Sequence, residues 1–239
     1  MKPGTYIYCW GPRLYPGRDI VKYAKGLGVV GVVLHSSTPA AIVAEAVLEL
    51  ESVYFWSFPG AFLPHNAAET TREMVEQCVS FGADGIIVDP ENAPEWVDSR
   101  EAIEGFSEVL DEARTKVDVG LTSFPYWPFV EQLAPHVNFG SPQLYGRSGT
   151  TNPQVFANWR RKWDASMREV IPSIWPQKNR DANAQRKYLS IFKDERTNII
   201  FQSPVPKVGT ASFGIQKEFA TGAANHKPGP KDESGPLSC

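Results

Sequence analysis

The chain has 239 residues, of which 42% are hydrophobic and 12% aromatic, and its formal net charge is −3. This length suffices for one large α/β domain, and the charge balance offers no basic patch for nucleic acid or an anionic membrane. The start of the chain lacks the pattern of a signal peptide, and no apolar run reaches the roughly 18 residues of a membrane span. We therefore expect a soluble protein, made in the cytosol without a signal peptide, that has neither nucleic acid nor membrane as a partner.

Short apolar segments rich in β-branched and aromatic residues alternate along the chain with longer segments of helical periodicity. Apolar character on both sides of each short segment is typical of strands buried in a parallel sheet. The strands predicted in this way are 5–10, 28–35, 52–58, 84–89, 118–124, 137–145, 170–175 and 198–203. Apolar residues that recur every three or four positions predict helices over 66–82, 98–116 and 152–167.

Eight strands with about seven helices between them predict an α/β fold, a single-domain (β/α)8 TIM barrel over residues 1–222. An open doubly wound sheet is the alternative, but no glycine-rich phosphate-binding loop follows the first strand. A last short helix is expected around 212–221. Residues 223–239 contain proline, glycine and charges with almost no large apolar residue, which predicts a tail without a core of its own.

The fourth predicted strand, DGIIVD, runs directly into Pro90 and Glu91, so that two carboxylates follow a buried strand. Side chains two residues apart lie on the same side of a strand, and Asp89 and Glu91 therefore share a face with Ile87. Barrel enzymes carry their active sites at this carboxyl end of the strands. Two adjacent carboxylates repel each other, so that one keeps its proton to higher pH, as the acid of a glycosidase must. Solvated loop carboxylates are the alternative interpretation.

Aromatic residues collect at the predicted carboxyl ends of the strands, where their rings can stack on the C–H faces of sugars. Gln143 and Tyr145, in the segment SPQLYG of the sixth strand, share a face and are expected to reach the mouth of the barrel. Trp10 on the first strand and Trp175 on the seventh are the preferred stacking residues. The residues predicted to bind substrate are Trp10, Trp56, Tyr126, Trp127, Gln143 and Trp175.

Patterns for other kinds of catalysis are missing from the sequence. The four histidines and three cysteines are scattered without metal-ligand spacing, and no G-x-S-x-G segment of a serine hydrolase occurs. We therefore expect a site without a metal ion or another cofactor.

The segment DGIIVDPE resembles the fourth-strand signature D-G-x-D-x-D-x-E of family 18 glycoside hydrolases, which include chitinases and endo-N-acetylglucosaminidases. Asp84, Gly85, Asp89 and Glu91 match this signature, whereas Ile87 replaces its middle aspartate. The pair of acids is also similar to the D-x-E of family 25 lysozymes, although the first strand lacks the acid expected there. The resemblance covers the order of barrel elements over most of the chain, but motif identity only in this segment and loosely in SPQLYG.

The resemblance implies a glycosidase that acts on a polymer containing N-acetylhexosamine, with peptidoglycan and chitin as candidate substrates. Glu91 would be the general acid, and Asp89 would orient and stabilise the acetamido group as it attacks the anomeric carbon. Tyr145 would steady the same N-acetyl group, with a purely packing role for its ring as the alternative. Because Ile87 leaves no acid beneath Asp89, we expect Asp89 to stay ionised and its charge to raise the pKa of Glu91.

Two other classes of function stay open. A barrel that resembles family 18 but has lost catalysis can serve as a lectin-like glycan-binding module, and the replacement at Ile87 fits such a loss. A structural barrel domain of a larger assembly is the third interpretation. A hydrolase of this size without a signal peptide also resembles phage lysis or tail enzymes, so we expect release to the cell wall or carriage on a phage particle if the substrate is peptidoglycan.

Overall fold

A computed structural model of the protein describes most of the chain. The described residues are 1–9, 20–91, 95–96, 100–145, 152–176, 181–201 and 209–224. Trp10 and the greater part of the predicted tail therefore lie outside the described residues.

Within the described segments, eight parallel strands form the barrel that the sequence predicted. Their bounds are β1 Gly4–Cys9, β2 Gly31–His35, β3 Ser52–Trp56, β4 Gly85–Val88, β5 Asp118–Ser123, β6 Phe139–Pro142, β7 Ser173–Ile174 and β8 Thr197–Phe201. Hydrogen bonds join the strands in the order β6-β5-β4-β3-β2-β1-β8-β7. Two isolated parallel bridges, Gly140 to Val170 and Gln143 to Ser173, then join the segment of β6 to the segment of β7 and close the ring.

Helices cover the outside of the ring. Those in the described residues are α1 Ile20–Leu27, α2 Ala40–Glu49, α3 Ala67–Phe81, α4 Arg100–Arg114, α5 Val130–Leu133, α6 Pro153–Ser166, α7 Ala182–Leu189 and α8 Ala211–Ala224. The helices α3, α4 and α6 confirm the three that apolar periodicity predicted, and α8 confirms the last one. None of the described helices is both long and apolar enough to cross a membrane.

The strands carry two apolar layers, because alternate side chains point to opposite sides of a sheet. One layer fills the inside of the barrel and the other packs beneath the helices, which explains why each strand is apolar on both faces. The inner layer includes Tyr6, Tyr8, Val33, Tyr54, Trp56, Ile87, Phe139 and Ile199. The outer layer includes Ile7, Val32, Leu34, Phe55, Ile86, Val88, Leu121 and Ile200.

The first two residues of the strand-four signature have a structural role. The Asp84 carboxylate accepts a hydrogen bond from the backbone N–H of Val53 at 2.8 Å, which fixes the start of β4 beside β3. A Cβ atom at Gly85 would lie 2.2 Å from the carbonyl oxygen of Asp118 and 2.6 Å from the ring of Tyr54. Glycine is therefore required at this position, since the inner tyrosine occupies the space of a side chain.

Candidate active site

A cavity of about 360 Å³ opens at the carboxyl ends of the strands, in the mouth of the barrel. Its volume lies in the range of roughly 300–1,000 Å³ that is usual for small-ligand sites. Aromatic rings form most of its lining, and the carboxyl groups lie on one side, after β4. The lining residues are Tyr8, Trp56, Phe58, Asp89, Glu91, Phe124, Gln143, Tyr145, Trp175 and Phe201.

A larger groove of about 630 Å³ lies on the outer surface beside α4. The Asp111 carboxylate in it accepts a hydrogen bond from His136 at 2.8 Å and lies 3.6 Å from Arg114. No residue of the strand-four signature lines this groove, so it is a less suitable site for chemistry than the mouth of the barrel.

Asp89 and Glu91 follow β4 in a three-residue turn centred on Pro90. The backbone N–H of Glu91 donates to the carbonyl oxygen of Asp89 at 3.0 Å. Both side chains line the cavity, and Gln143 links them from β6. The Gln143 amide nitrogen lies 3.2 Å from one carboxyl oxygen of Asp89 and 3.4 Å from the other, and it also donates to Glu91. One buried amide therefore holds both carboxyl groups in place.

Burial dominates the electrostatics of the two acids. Asp89 is only 4% exposed, and neither acid takes part in an ion pair with the described residues. Burial raises the pKa of Asp89 well above its usual range, and both the charge of Glu91 and a hydrogen bond to it raise this pKa further. Burial also raises the pKa of Glu91, while hydrogen bonds with Gln143 and Asp89 lower it.

Burial of both carboxyl groups therefore disfavours two negative charges in the pair and shifts the pKa of Asp89 upward. The expectation that Asp89 stays ionised to lower pH has the opposite direction to this shift. It considered only repulsion between like charges and left out the loss of hydration. Ile87 precedes the pair on the same face of β4 and is fully buried in the inner apolar layer, where its side chain offers neither a charge nor a hydrogen bond.

An aromatic wall stands on the side of β7 and β8. The ring of Trp175 lies 5.7 Å from that of Tyr145 and 5.0 Å from that of Phe201, both in edge-on geometry. The hydroxyl of Tyr188 accepts the backbone N–H of Trp175 at 3.2 Å and donates to the carbonyl oxygen of Leu144 at 2.6 Å. Tyr188 thus fixes the strand ends that carry this wall.

The surroundings of Tyr145 disfavour ionisation of its hydroxyl group. Burial raises its pKa well above the usual value, and the nearby acids Asp89 and Glu91 add to this effect. A neutral phenol can donate a hydrogen bond, and a carbonyl oxygen of a ligand in the cavity would be a suitable acceptor.

The structure brings three of the six predicted substrate-binding residues together in the cavity. Trp56, Gln143 and Trp175 line it with Tyr145. The predicted role of Trp10 stays a prediction, because that residue lies outside the described residues.

Tyr126 and Trp127 do not line the cavity. Tyr126 is 75% exposed and lies outside its edge, where its ring stacks on that of Phe124. Trp127 is 1% exposed and packs in the outer layer beside Phe129, so its assignment as a sugar contact is corrected. Trp127 points away from the cavity because a turn follows β5. In this turn the backbone N–H of Trp127 donates to the carbonyl oxygen of Phe124 at 3.0 Å, and the alternation of side chains between the two faces of the strand ends there.

Four lining residues were missed by sequence reasoning: Tyr8, Phe58, Phe124 and Phe201. All of them lie near the carboxyl end of a predicted strand, and Tyr8 shares the inward face of β1 with Tyr6. The inward-facing aromatic residues in the last three positions of each predicted strand include all four.

No metal-ligand cluster of three or more His, Cys, Asp or Glu side chains occurs among the described residues. The polar groups of the cavity are carboxyl, amide and phenol groups, which suit proton transfer and hydrogen bonding to a substrate.

The fold and the site define a (β/α)8 barrel with a buried carboxyl pair at its mouth. No family model matches the sequence, and no curated protein matches it either. Among solved structures, the chain is similar to the GH18 chitinase ChiB of Flavobacterium johnsoniae, with a TM-score of 0.62, 10% identity, and coverage of 92% of this chain and 94% of that one. The chain is also similar to an endo-β-N-acetylglucosaminidase from Cordyceps militaris, with a TM-score of 0.63, 12% identity, and coverage of 93% of this chain and 91% of that one.

The same barrel occurs in a GH113 β-1,4-mannanase, with a TM-score of 0.65, 7% identity, and coverage of 95% of this chain and all (100%) of that one. At these identities the similarity establishes the fold that the proteins share. The expected resemblance to family 18 glycoside hydrolases is thereby confirmed at the level of the barrel.

Proposed function

We propose that the protein is a glycosidase that cleaves a polymer containing N-acetylhexosamine, with Glu91 as the general acid. The observation that carries this proposal is the buried carboxyl pair, which Gln143 bridges on one side of an aromatic cavity. A general acid must keep its proton near neutral pH to protonate a glycosidic oxygen, and burial raises the pKa of Glu91 in the required direction. The fold shared with a chitinase and an endo-β-N-acetylglucosaminidase supports the same assignment.

The acetamido group of the substrate serves as the nucleophile in this proposal, as in substrate-assisted retaining glycosidases. Glu91 transfers its proton to the glycosidic oxygen while the acetamido oxygen bonds to the anomeric carbon, and the bond to the leaving sugar breaks. A positively charged oxazolinium ring and an ionised Glu91 result. Water then bonds to the anomeric carbon and gives a proton to Glu91, while the ring opens and restores the acetamido group.

Asp89 changes its protonation state when the substrate binds. The N–H of the acetamido group donates a hydrogen bond to Asp89, which stabilises the ionised form of this carboxyl group. The shared proton then lies on Glu91, where the reaction needs it. The negative charge of Asp89 stabilises the positive charge that develops on the acetamido group, and Tyr145 donates to its oxygen until that oxygen attacks.

Chitin and peptidoglycan both present the acetamido group that this mechanism requires, and both are candidate substrates. Release to the cell wall or carriage on a phage particle accompanies the peptidoglycan alternative. Glycan binding without hydrolysis is the second candidate function. It is favoured by Ile87, an apolar buried residue where the family signature has its middle aspartate.

The experiment is a parallel assay of reducing-sugar release from purified peptidoglycan and from chitin oligosaccharides. Glu91→Gln keeps the size of the side chain and removes the transferable proton, and Glu45→Gln on the exposed face of α2 is the matched control. We expect release by the unmodified protein and the control, and none by Glu91→Gln. Tight glycan binding without release by the unmodified protein would support the lectin-like function. Absence of both binding and release would overturn the proposal.

A further inference from the structure

The cavity at the mouth of the barrel holds only a short part of a polysaccharide. Its volume of about 360 Å³ lies near the lower end of the range for small-ligand sites. The other sugars of a polymeric substrate must therefore lie on the rim of the barrel, and the rim must offer them contacts if they contribute to binding.

Exposed aromatic rings occur on both sides of the carboxyl pair. The exposed large apolar side chains among the described residues are Leu48, Phe58, Val79, Phe124 and Tyr126. The two aliphatic ones lie on α2 and α3, whereas all three aromatic ones follow β3 or β5. Those two strands are the neighbours of β4, which carries the two acids. The exposed rings thus flank the site of the proposed chemistry.

The rings after β5 continue the cavity outward. Phe124 lines the cavity and is 37% exposed, and Tyr126 beyond it is 75% exposed. Their ring planes differ by only 6°, with centroids 5.7 Å apart. Tyr126 is thus stacked on Phe124, which supports its ring at the edge of the cavity, and its 75% exposure leaves the outer face of the ring open to a sugar. We call this stacked pair the outer platform.

The ring after β3 is held in place by its neighbours. Phe58 lines the cavity, is 40% exposed, and lies 4.3 Å from the ring of His35 and 5.7 Å from that of Trp56. The Nδ1 atom of His35 accepts the backbone N–H of Ser37 at 3.1 Å, and burial lowers the pKa of His35. Phe58 therefore rests on a neutral and fixed aromatic support, so that contact with a ligand costs little side-chain entropy.

We propose that the sugar chain crosses the mouth from β3 to β5 above Glu91, with one sugar stacked on Phe58 and another on the outer platform. The C–H groups of a pyranose ring carry small positive charges, which the negative face of an aromatic ring attracts. This inference rests on the proposed function and adds to it that the enzyme cleaves internal bonds of a linear polymer. Binding on both sides of the acids requires sugars on both sides of the cleaved bond.

The first test compares long and short substrates with two variants, Phe58→Ala and Tyr126→Ala. The long substrate is a hexasaccharide of β-1,4-linked N-acetylglucosamine or a soluble peptidoglycan strand, whichever the unmodified protein cleaves, and the short one is an aryl glycoside. We expect each variant to lower the ratio of kcat/KM for the long substrate to kcat/KM for the short one on the order of tenfold. Tyr126→Phe should retain the ratio because it keeps the ring, and Leu48→Ala is the exposed apolar control. An unchanged ratio in both alanine variants would overturn the proposal.

The second test follows the early products of a hexasaccharide labelled at its reducing end. Cleavage across the middle gives fragments of two to four sugars first, whereas successive release of single sugars from one end would contradict the proposal. If the unmodified protein hydrolyses nothing, the proposed function fails, and calorimetric binding of the hexasaccharide and the disaccharide takes the place of kinetics. Weaker binding of the hexasaccharide alone in the alanine variants would support the two stacking sites. Equal affinities of the unmodified protein and the variants for the hexasaccharide would overturn them.

Discussion

Replacement of Gln143 by methionine tests how the two acids share their proton. The substitution removes the amide that donates to both Asp89 and Glu91 but keeps an unbranched side chain of similar length at a buried position. A hydrogen bond to a charged group contributes about 1.5–3 kcal/mol. Because one pKa unit corresponds to about 1.4 kcal/mol, loss of the bond should raise the pKa of Glu91 by about 1–2 units.

The direction of the pKa change follows from the protonation state of the acids that the Gln143 amide stabilises. In the proposed mechanism the pair is active with one proton, so the rate falls at high pH when this proton is lost and at low pH when a second one binds. The Gln143 amide favours the ionised forms and lowers the pKa of Glu91. Its removal should therefore move the bell-shaped profile to higher pH, with the larger change on the basic limb.

The measurement is kcat/KM over a wide pH range, together with the melting temperature of each protein. Gln185→Met is the matched control, because Gln185 is also buried but bonds to Ser212 on the outside of the barrel. The control should lose some stability without a shift of the profile. If Gln143→Met folds normally and its profile is unchanged or lies at lower pH, the reasoning about the shared proton is refuted.

Three further substitutions have expected outcomes. Glu91→Gln should lower kcat by about 10²–10⁴-fold or more at an unchanged melting temperature, and full activity would exclude Glu91 as the acid. Asp89→Asn should also lower kcat strongly in the same assay, since an amide offers no negative charge to the acetamido group. Gly85→Ala should lower the free energy of unfolding in urea by about 1–3 kcal/mol, because its Cβ would lie 2.2 Å from the Asp118 carbonyl oxygen. The control for Gly85→Ala is Gly105→Ala on α4, which should leave the free energy of unfolding no lower, because its Cβ atom would meet no group beyond its own helix backbone.

The sequence by itself determined the barrel and the place of its carboxyl pair. Strands that are apolar on both faces must be covered on both sides, and eight of them alternating with helices leave few arrangements besides a closed ring. The position of Asp89 and Glu91 then followed from the period of two along a strand and from the rule that barrel sites lie at the carboxyl ends. Both rules depend only on local sequence and chain order.

Only the tertiary structure decided what state the acids adopt and which aromatic residues reach them. Gln143 bridges the pair from another strand, 52 residues further along the chain than Glu91, and no local pattern records this contact. The upward shift of the Asp89 pKa depends on burial by the residues that meet at the mouth of the barrel, which strand periodicity does not measure. Trp127 lies beyond the last residue of β5, where a turn ends the alternation and directs its indole into the outer layer. Strand periodicity predicts a side chain's direction only as far as the strand extends, and burial is set by all of the elements that meet at the site.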